Sequence, residues 1–316
     1  MIHLACIAEG AYLRHTGAML HSALSQTLPD RCTVHVLHER PIADDERDRL
    51  AGVVAGLRGE LRWLQLAEDA ARGFPDGGFP RAVWFRVLLP ELLPGLERVL
   101  YLDSDLIVRQ SLVPLWRTDL GGALLGAVTN PLYPFQPPYP QQALGIARPE
   151  DYFNSGVLLL DLARMRAEGS ARALAQVAAT RPGLWYPDQD ALNLVCRDRW
   201  HRLHPRWNAQ STFFELSDRD LPVPAVEAAE ARTDPAIVHF IGPLKPWTYL
   251  CRHPLRALYA EHARATPWGV PPLEGRTLRN AVLRQLPMAA IDRWFALERW
   301  LARKRRGLQR RLGLAT

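Results

Sequence analysis

Lysine is almost missing from this chain: Lys245 and Lys304 are the two present, and arginine supplies every other basic residue. Such a bias reflects a GC-rich genome and says little about physics. Cysteine is scarce as well. Cys6, Cys32, Cys196 and Cys251 are scattered and form no CxxC pair, which excludes a disulfide framework and a zinc cluster and fits a reducing cytosol. No apolar run is long enough to cross a bilayer. Met1-Ile2-His3-Leu4 enters a strand-like stretch without a charged segment before it, so no signal peptide is expected. A GxxxxGK[ST] loop is absent, which excludes phosphate binding of the P-loop kind, and the absence of GxGxxG counts against a dinucleotide enzyme. There is no internal repeat and, before the tail, no low-complexity segment.

What remains is ordinary for a soluble globular protein: 316 residues, 48% hydrophobic and 23% charged, enough to bury a sizeable core in one large or two smaller domains. The charge is unevenly placed. From Arg276 onward eleven basic residues face Asp292 and Glu298, a net of +9 within an overall +6, so the first 275 residues carry −3. The basic character belongs to a tail.

Apolar runs over Ile2–Ala8, Thr33–Leu37 and Leu61–Leu66 alternate with helical segments over Leu13–Leu28 and Asp44–Leu57, the pattern of a parallel sheet. Ligands of such sheets bind beyond the carboxyl ends of the strands. Arg81–Leu89 reads as a helix that ends near Pro90 and Pro94, and Leu124–Val128 as a further strand. Pro131–Pro140, with Tyr133, Phe135 and Tyr139, is too rich in proline for a helix or central strand and reads either as a lid or sugar platform or as a loop packed on the core. Phe153-Asn154-Ser155-Gly156 precedes a buried strand, Val157–Asp161, followed by a helix from Leu162 to about Thr180. Tyr186–Asn193 opens another helix, with Asp188 as its candidate cap. Ile237–Ile241 is a strand running into a Gly/Pro loop that contains Lys245.

The strand Arg98–Leu102 ends abruptly in Asp103-Ser104-Asp105. Residues two apart point to the same side as a chain leaves a strand, so Asp103 and Asp105 converge while Ser104 turns away. Converging carboxylates repel unless a cation or proton lies between them. Oxygen ligands of this kind suit Mg²⁺ or Mn²⁺, and such sites keep positions open for water and a substrate phosphate. Alone, the pair reads equally well as an Asp-rich turn. Three further polar clusters stand at the ends of apolar elements: Asn154/Ser155, Asp188/Gln189/Asp190, and His239 with Lys245. Two carboxylates with an imidazole favour Mn²⁺ over Mg²⁺, and a lysine in a glycine-containing loop neutralises phosphate charge. Together they would stabilise a departing nucleoside diphosphate.

Tyr101-Leu102-Asp103-Ser104-Asp105, Phe153-Asn154-Ser155-Gly156-Val157, Asp188-Gln189-Asp190-Ala191-Leu192-Asn193 and His239-Phe240-Ile241-Gly242-Pro243-Leu244-Lys245-Pro246-Trp247 occur in the order and spacing of glycosyltransferase family 8. The chain resembles the bacterial lipopolysaccharide and lipooligosaccharide galactosyl- and glucosyltransferases of that family, from the first strand to about Trp247 and again in the basic tail. The resemblance implies an α/β GT-A fold, a mostly parallel central sheet flanked by helices, and a UDP-galactose or UDP-glucose donor. It also implies Mn²⁺, with Mg²⁺ as the alternative, and transfer with retention at the anomeric carbon. It assigns Asp103, Asp105 and His239 to the metal, and Gly242 and Lys245 to the diphosphate. Arg86, Ser104, Asn154, Ser155, Asp188 and Gln189 fall to the donor, Tyr12 to stacking on uracil and Tyr186 to the acceptor side. Asn154, Asp188, Gln189 and Asp190 form the expected catalytic group.

Two departures stand out. Where the family commonly reads acid-acid-Asn-Tyr, this chain has Glu9-Gly10-Ala11-Tyr12, so Glu9 alone keeps a carboxylate for the base. Asn130 stands where relatives often have Asp. Two other readings stay open on sequence: a nucleotidyltransferase acting on a sugar phosphate, against which the absence of a basic loop after the first strand counts, and a non-catalytic, membrane-bound sugar-binding relative. Residues 1–275 are expected to form the catalytic domain. In 276–316, Ile291, Trp294, Phe295, Leu297, Trp300 and Leu301, followed by seven basic residues from Arg299 to Arg311, read as an interfacial amphipathic anchor. It would place a cytoplasmic enzyme peripherally on the anionic inner face of the membrane, beside a lipid-linked oligosaccharide acceptor; the alternatives are packing on the catalytic domain or a solvated or nucleic-acid-binding end, and no nucleic-acid partner is expected. If only a cation balances Asp103 and Asp105, removing either carboxylate should leave the metal-free fold intact or more stable.

Overall fold

The structure, a computed structural model, describes residues 1–67, 70, 74, 80–132, 144–181, 183–286 and 294. Ile2–Ile7, Cys32–His38 and Glu60–Gln65 form parallel strands β1, β2 and β3, joined by helices α1 (Leu13–Thr27) and α2 (Asp44–Gly56). Asp44, Asp45 and Glu46 fill the first turn of α2, where carboxylates complement the helix dipole. Arg98–Leu102 is β4, parallel to β1. Beyond it lie β5 (Leu106–Val108), β6 (Leu125–Thr129), β7 (Phe153–Asp161) and β8 (Trp200–Arg202). The central sheet has seven strands in the order β3-β2-β1-β4-β7-β6-β8. It is mostly parallel: β7 alone runs against its neighbours β4 and β6. A second sheet, which the strand-helix alternation did not announce, pairs β5 with β10 (Ile237–His239) and β10 with β9 (Ala209–Gln210).

Alternation sorts the core onto two faces of the central sheet. Leu4, Leu100, Leu102, Val157 and Leu159 pack in one cluster; Ala5, Val99, Tyr101, Leu158 and Leu160 pack in the other. Both faces are covered, which is why these strands read as continuous apolar runs. Each buried Leu or Val contributes roughly 1.5–3 kcal/mol by leaving water. The four cysteines are free and buried, and burial pushes the Cys6 and Cys196 thiols up to about 12.

Four expectations need correction. Arg81–Leu88 is a 3₁₀ helix, and Pro90 does not end it; proline sits in the first turn of a short α-helix, Leu89–Leu92, where its missing N–H has no partner to lose. The Asn154 motif lies within β7, whose nine residues begin at Phe153. The segment after β7 is two helices, Leu162–Ala167 and Ser170–Thr180, because Gly169 adopts φ +67° between them. In the helix Pro187–Val195, Asp188 caps nothing; Asp190 reaches back instead, its carboxylate accepting the Tyr186 N–H at 2.8 Å.

The chain forms two compact units. Residues 1–246 and 253–270 make the first and carry both sheets; 247–252 and 271–316 make the second. Within the second, Tyr249 N–H donates to the Glu274 carbonyl at 2.8 Å and Glu274 N–H to the Trp247 carbonyl at 2.9 Å. The hydroxyl of Thr277 caps a helix, Leu278–Leu283, and the Arg279 guanidinium lies 5.3 Å from the centre of the Trp294 ring, which is 42% exposed. The rest of the expected anchor, 287–293 and 295–316, and the aromatic loop 133–140 lie outside the described residues. Among the described residues no helix is long and apolar enough to cross a membrane.

Candidate functional site

The reversal of β7 is what assembles the site. Because β7 runs antiparallel to β4, its first residues lie beside the carboxyl end of β4, and the Asp103 N–H donates to the Gly156 carbonyl at 2.8 Å. The second sheet adds the other side. Leu106 pairs with His239 across β5 and β10, and the Phe240 N–H donates to the Asp105 carbonyl at 3.0 Å. Asp103, Asp105 and His239, far apart in sequence, each offer one ligand atom within 4.8 Å of the others. Ser104 turns away as alternation requires, its hydroxyl donating to the Ile7 carbonyl and meeting Thr16 Oγ1, both at 2.8 Å.

Two cations, the buried Arg86 and the half-buried Lys245, hold these carboxylates. Arg86 Nη2 meets Asp103 Oδ1 at 3.0 Å and Arg86 Nε meets Asp188 Oδ2 at 3.2 Å. Arg86 Nη1 donates to the Ser155 carbonyl at 2.9 Å, and the guanidinium lies 4.6 Å from the centre of the Tyr101 ring. Burial opposes the charge on Arg86, but Asp103 and Asp188 outweigh it and hold its pKa above the ordinary arginine value. Burial raises the Asp188 carboxyl, with Arg86 pulling the other way. Tyr101 donates its hydroxyl to Asp103 Oδ1 at 2.7 Å. On the other carboxylate, Lys245 Nζ donates to Asp105 Oδ2 and, at 2.8 Å, to the Phe240 carbonyl, while His239 Nε2 lies 3.1 Å from Asp105 Oδ1. Burial works against the charged form of Asp105, yet Lys245 and His239 keep it well below the usual carboxylate range. Gly242, at φ +78°, makes the turn that returns Lys245 to this point.

The residues fit a hard divalent cation. Two carboxylates and an imidazole converge, and the wall beside them is shaped by an absence: a Cβ on Gly156 would stand 2.2 Å from His239 Cε1 and 2.8 Å from Asp103 Oδ2. Gly156→Ala therefore has to push His239 or Asp103 aside. Mn²⁺ affinity, followed by electron paramagnetic resonance, is expected to fall about 10–100-fold; an unchanged affinity would remove Gly156 from the wall.

Behind the carboxylates lies a layer of side-chain amides. Gln189 Oε1 accepts from the Ser155 N–H at 3.0 Å and from Asn154 Nδ2 at 3.2 Å, and its Nε2 donates to the Tyr152 hydroxyl at 2.8 Å. Asn154 Nδ2 also donates to Asn130 Oδ1 at 3.0 Å. Ser155 Oγ donates to Asp188 Oδ2 at 3.1 Å. Asp190 is fully buried and accepts from Tyr152 at 2.6 Å as well as from Tyr186 N–H. It is linked to Gln189 through the Tyr152 hydroxyl, which donates to Asp190 Oδ1 and accepts from Gln189 Nε2.

At the adjacent carboxyl end of β1, Glu9 Oε1 accepts the Glu39 N–H at 2.8 Å, and Tyr12, 46% exposed, presents its ring after a 3₁₀ turn. Gly10 and Ala11, with Arg14, Glu46 and Pro41–Ala43, border a cavity of about 290 Å³. Sequence reasoning missed Tyr101, Tyr152, Asn208 and the steric role of Gly156. The motifs contained Tyr101 and Gly156, but only the cross-strand pairing shows what each touches.

A profile of Glycosyl transferase family 8 matches residues 3–251. Among curated proteins, General stress protein A of Bacillus subtilis (strain 168) is 26% identical over 275 residues, covering 85% of this chain and 95% of that protein. Lipopolysaccharide glucosyltransferase WaaO of Escherichia coli (strain K12) is 26% identical over 266 residues, covering 81% and 76%. Among solved structures, the galactosyltransferase LgtC in complex with donor and acceptor sugar analogues superposes with a TM-score of 0.76 at 28% identity, covering 85% of this chain and 98% of that one.

Proposed function

The chain belongs to glycosyl transferase family 8, and from that premise we propose that it transfers a hexose, galactose or glucose, from a UDP-sugar to a glycan with retention at the anomeric carbon. The observation that carries this reading is the convergence of Asp103, Asp105 and His239 within 4.8 Å, next to Arg86, Asn154, Asp188 and Gln189. In the proposal Asp103, Asp105 and the Nε2 of His239 hold Mn²⁺. A divalent cation bound there supplies positive charge toward a leaving diphosphate. Lys245, on the loop after β10, supplies a second positive charge for the same phosphates. Tyr12 offers a ring face to the base, with Glu9 beside it, and Arg86, Asn154, Ser155 and Asp188 line the donor-sugar side.

Gln189 is a neutral amide whose oxygen already accepts two hydrogen bonds, which makes it a poor nucleophile. Retention without a covalent intermediate then calls for attack on the face the diphosphate leaves, with the leaving group taking the acceptor's proton and Gln189 orienting the sugar. The test is incubation with UDP-galactose and UDP-glucose, with and without Mn²⁺, following UDP release and the anomeric configuration of the product. Metal-dependent release with a retained product supports the reading; an inverted product or no release from either sugar overturns it. Gln189→Ala is expected to slow transfer about 100-fold without abolishing it, the scale of losing a substrate-positioning contact, and a kinetically competent glycosyl adduct on a side chain, seen by mass spectrometry, would replace front-face attack with a covalent route.

For the acceptor, the resemblance to lipopolysaccharide-type transferases and the basic tail support a lipid-linked oligosaccharide met at an anionic membrane surface. Each basic residue near such a surface contributes about 1 kcal/mol, so the run from Arg299 to Arg311 would bind usefully and in a salt-sensitive way. Full-length protein should co-sediment with anionic but not neutral liposomes and be released by salt; equal sedimentation of a chain ending at Gly275 would defeat the anchor.

A further inference from the structure

We infer that Asn208 is a positioning residue for the candidate metal site: it fixes His239 with the proton on Nδ1 and Nε2 turned toward Asp103 and Asp105. The inference rests on the metal reading given above. Asn208 lies at the end of a short 3₁₀ turn, Pro205–Asn208, directly before β9, and is fully buried. Parallel pairing of β9 with β10, Ala209 opposite Val238 and Gln210 opposite His239, places it beside the imidazole. Its Oδ1 lies 2.8 Å from His239 Nδ1 and its Nδ2 lies 2.9 Å from Asn154 Oδ1.

The sense of these bonds follows from one donor that cannot be reversed. Asn154 Oδ1 accepts the backbone N–H of Gly156 at 2.9 Å, so the atom of Asn154 at that point is its oxygen. An oxygen there requires the facing atom of Asn208 to be its nitrogen. The oxygen of Asn208 therefore faces His239, and a carbonyl oxygen at 2.8 Å requires a proton on Nδ1. The backbone N–H of Ser155 fixes the neighbouring amide in the same way, because Gln189 Oε1 accepts it at 3.0 Å. Two successive amides at the start of β7 thus set the orientation of Asn154, Asn208 and Gln189 together. The metal-facing side of His239 and the sugar-facing side of the site share a single hydrogen-bonded frame, joined at Asn154, which also donates to Gln189. A ligating histidine whose second nitrogen is held by a fixed acceptor keeps its ring orientation and its tautomer, and such partners typically matter 10–100-fold to metal affinity.

The experiment has two arms on the full chain. In the first, the chelator-treated protein carries ¹⁵N-labelled histidine, and His239 is assigned by its loss in His239→Gln. Nδ1 of His239 is expected to show the shift of a protonated nitrogen. An unprotonated Nδ1 in the wild-type protein overturns the inference without recourse to any Asn208 variant. In the second, Mn²⁺ binding is titrated by electron paramagnetic resonance. Asn208→Leu, which removes the acceptor, is expected to bind about 10–100-fold more weakly, whereas Asn208→Asp, which keeps an oxygen at His239 but sets its other oxygen against Asn154 Oδ1, recovers part of that loss. Wild-type affinity in Asn208→Leu removes Asn208 from the role while the metal reading stands. A wild-type protein that takes up no Mn²⁺ removes the metal reading, and this role with it.

Discussion

Arg86→Ala is expected to cost the metal-free protein roughly 3–5 kcal/mol, the range found when one partner of a buried ion pair is deleted. Arg86 is 7% exposed and stands between Asp103 and Asp188, with further bonds to the Ser155 carbonyl and hydroxyl. Alanine leaves Asp188, 9% exposed, and Asp103, 24% exposed, without their cation, and the cost falls mainly on the buried Asp188. Asp188, whose carboxyl burial already raises, would then rise further. Urea unfolding of the metal-free protein measures the loss. Arg86→Lys should recover only part of it, since an ammonium holds charge but cannot fork between two carboxylates and a carbonyl. A loss near zero for Arg86→Ala would mean that the carboxylates reach solvent or share a proton instead.

Asp105→Ala is expected to abolish metal-dependent transfer, by at least about a hundredfold, the scale on which preorganised charge at a reacting group acts. Its effect on stability separates two accounts. On sequence alone the two carboxylates repel, and removing one should leave the metal-free protein unharmed or more stable. The structure reverses the sign. Asp105 is engaged by Lys245 and by His239, and both would be left near an empty corner. The melting temperature of the chelator-treated protein should therefore fall, by the low end of the same 3–5 kcal/mol range because Lys245 and Asp105 are 16% and 13% exposed. A rise in melting temperature would restore the repulsion argument.

The difference between those accounts marks where the sequence stops being legible. Asp103-Ser104-Asp105 at the end of an apolar run already implies convergence, because alternation is local. Nothing local ties Arg86 to Asp103, since the stretch that carries Arg86 reads simply as a helix, which does not say what the guanidinium meets. The strands β1 to β4 and the helices α1 and α2 follow from apolar periodicity and lie within a residue or so of expectation. The reversed β7 does not, because a fully buried strand has the same pattern in either direction. The second sheet escaped for another reason: β10 was legible as a strand, but its partners β5 and β9 have three and two residues, too few for period-two alternation to register. Asn208 escaped with them, being a single asparagine after Pro205-Arg206-Trp207 that gains a role only once β9 lies against β10. Asp190 was legible as a member of a motif, and its burial beneath Gln189 was not.

The distances along the chain between these partners fix an order of events during synthesis. Asp103 meets Arg86 across 17 residues, so its charge is matched by a residue already made when it leaves the ribosome. Asp105 waits for His239, 134 residues later, and for Lys245, 140 residues later. Closing a loop of that length comes late, after the local contacts that offset its entropy are in place. A ribosome-bound nascent chain stalled before His239 should therefore protect β1, β2 and β4 against proteolysis while presenting an incomplete set of the candidate ligands, and on the proposed metal reading the pocket would retain a cation only when the last strand of the smaller sheet has docked.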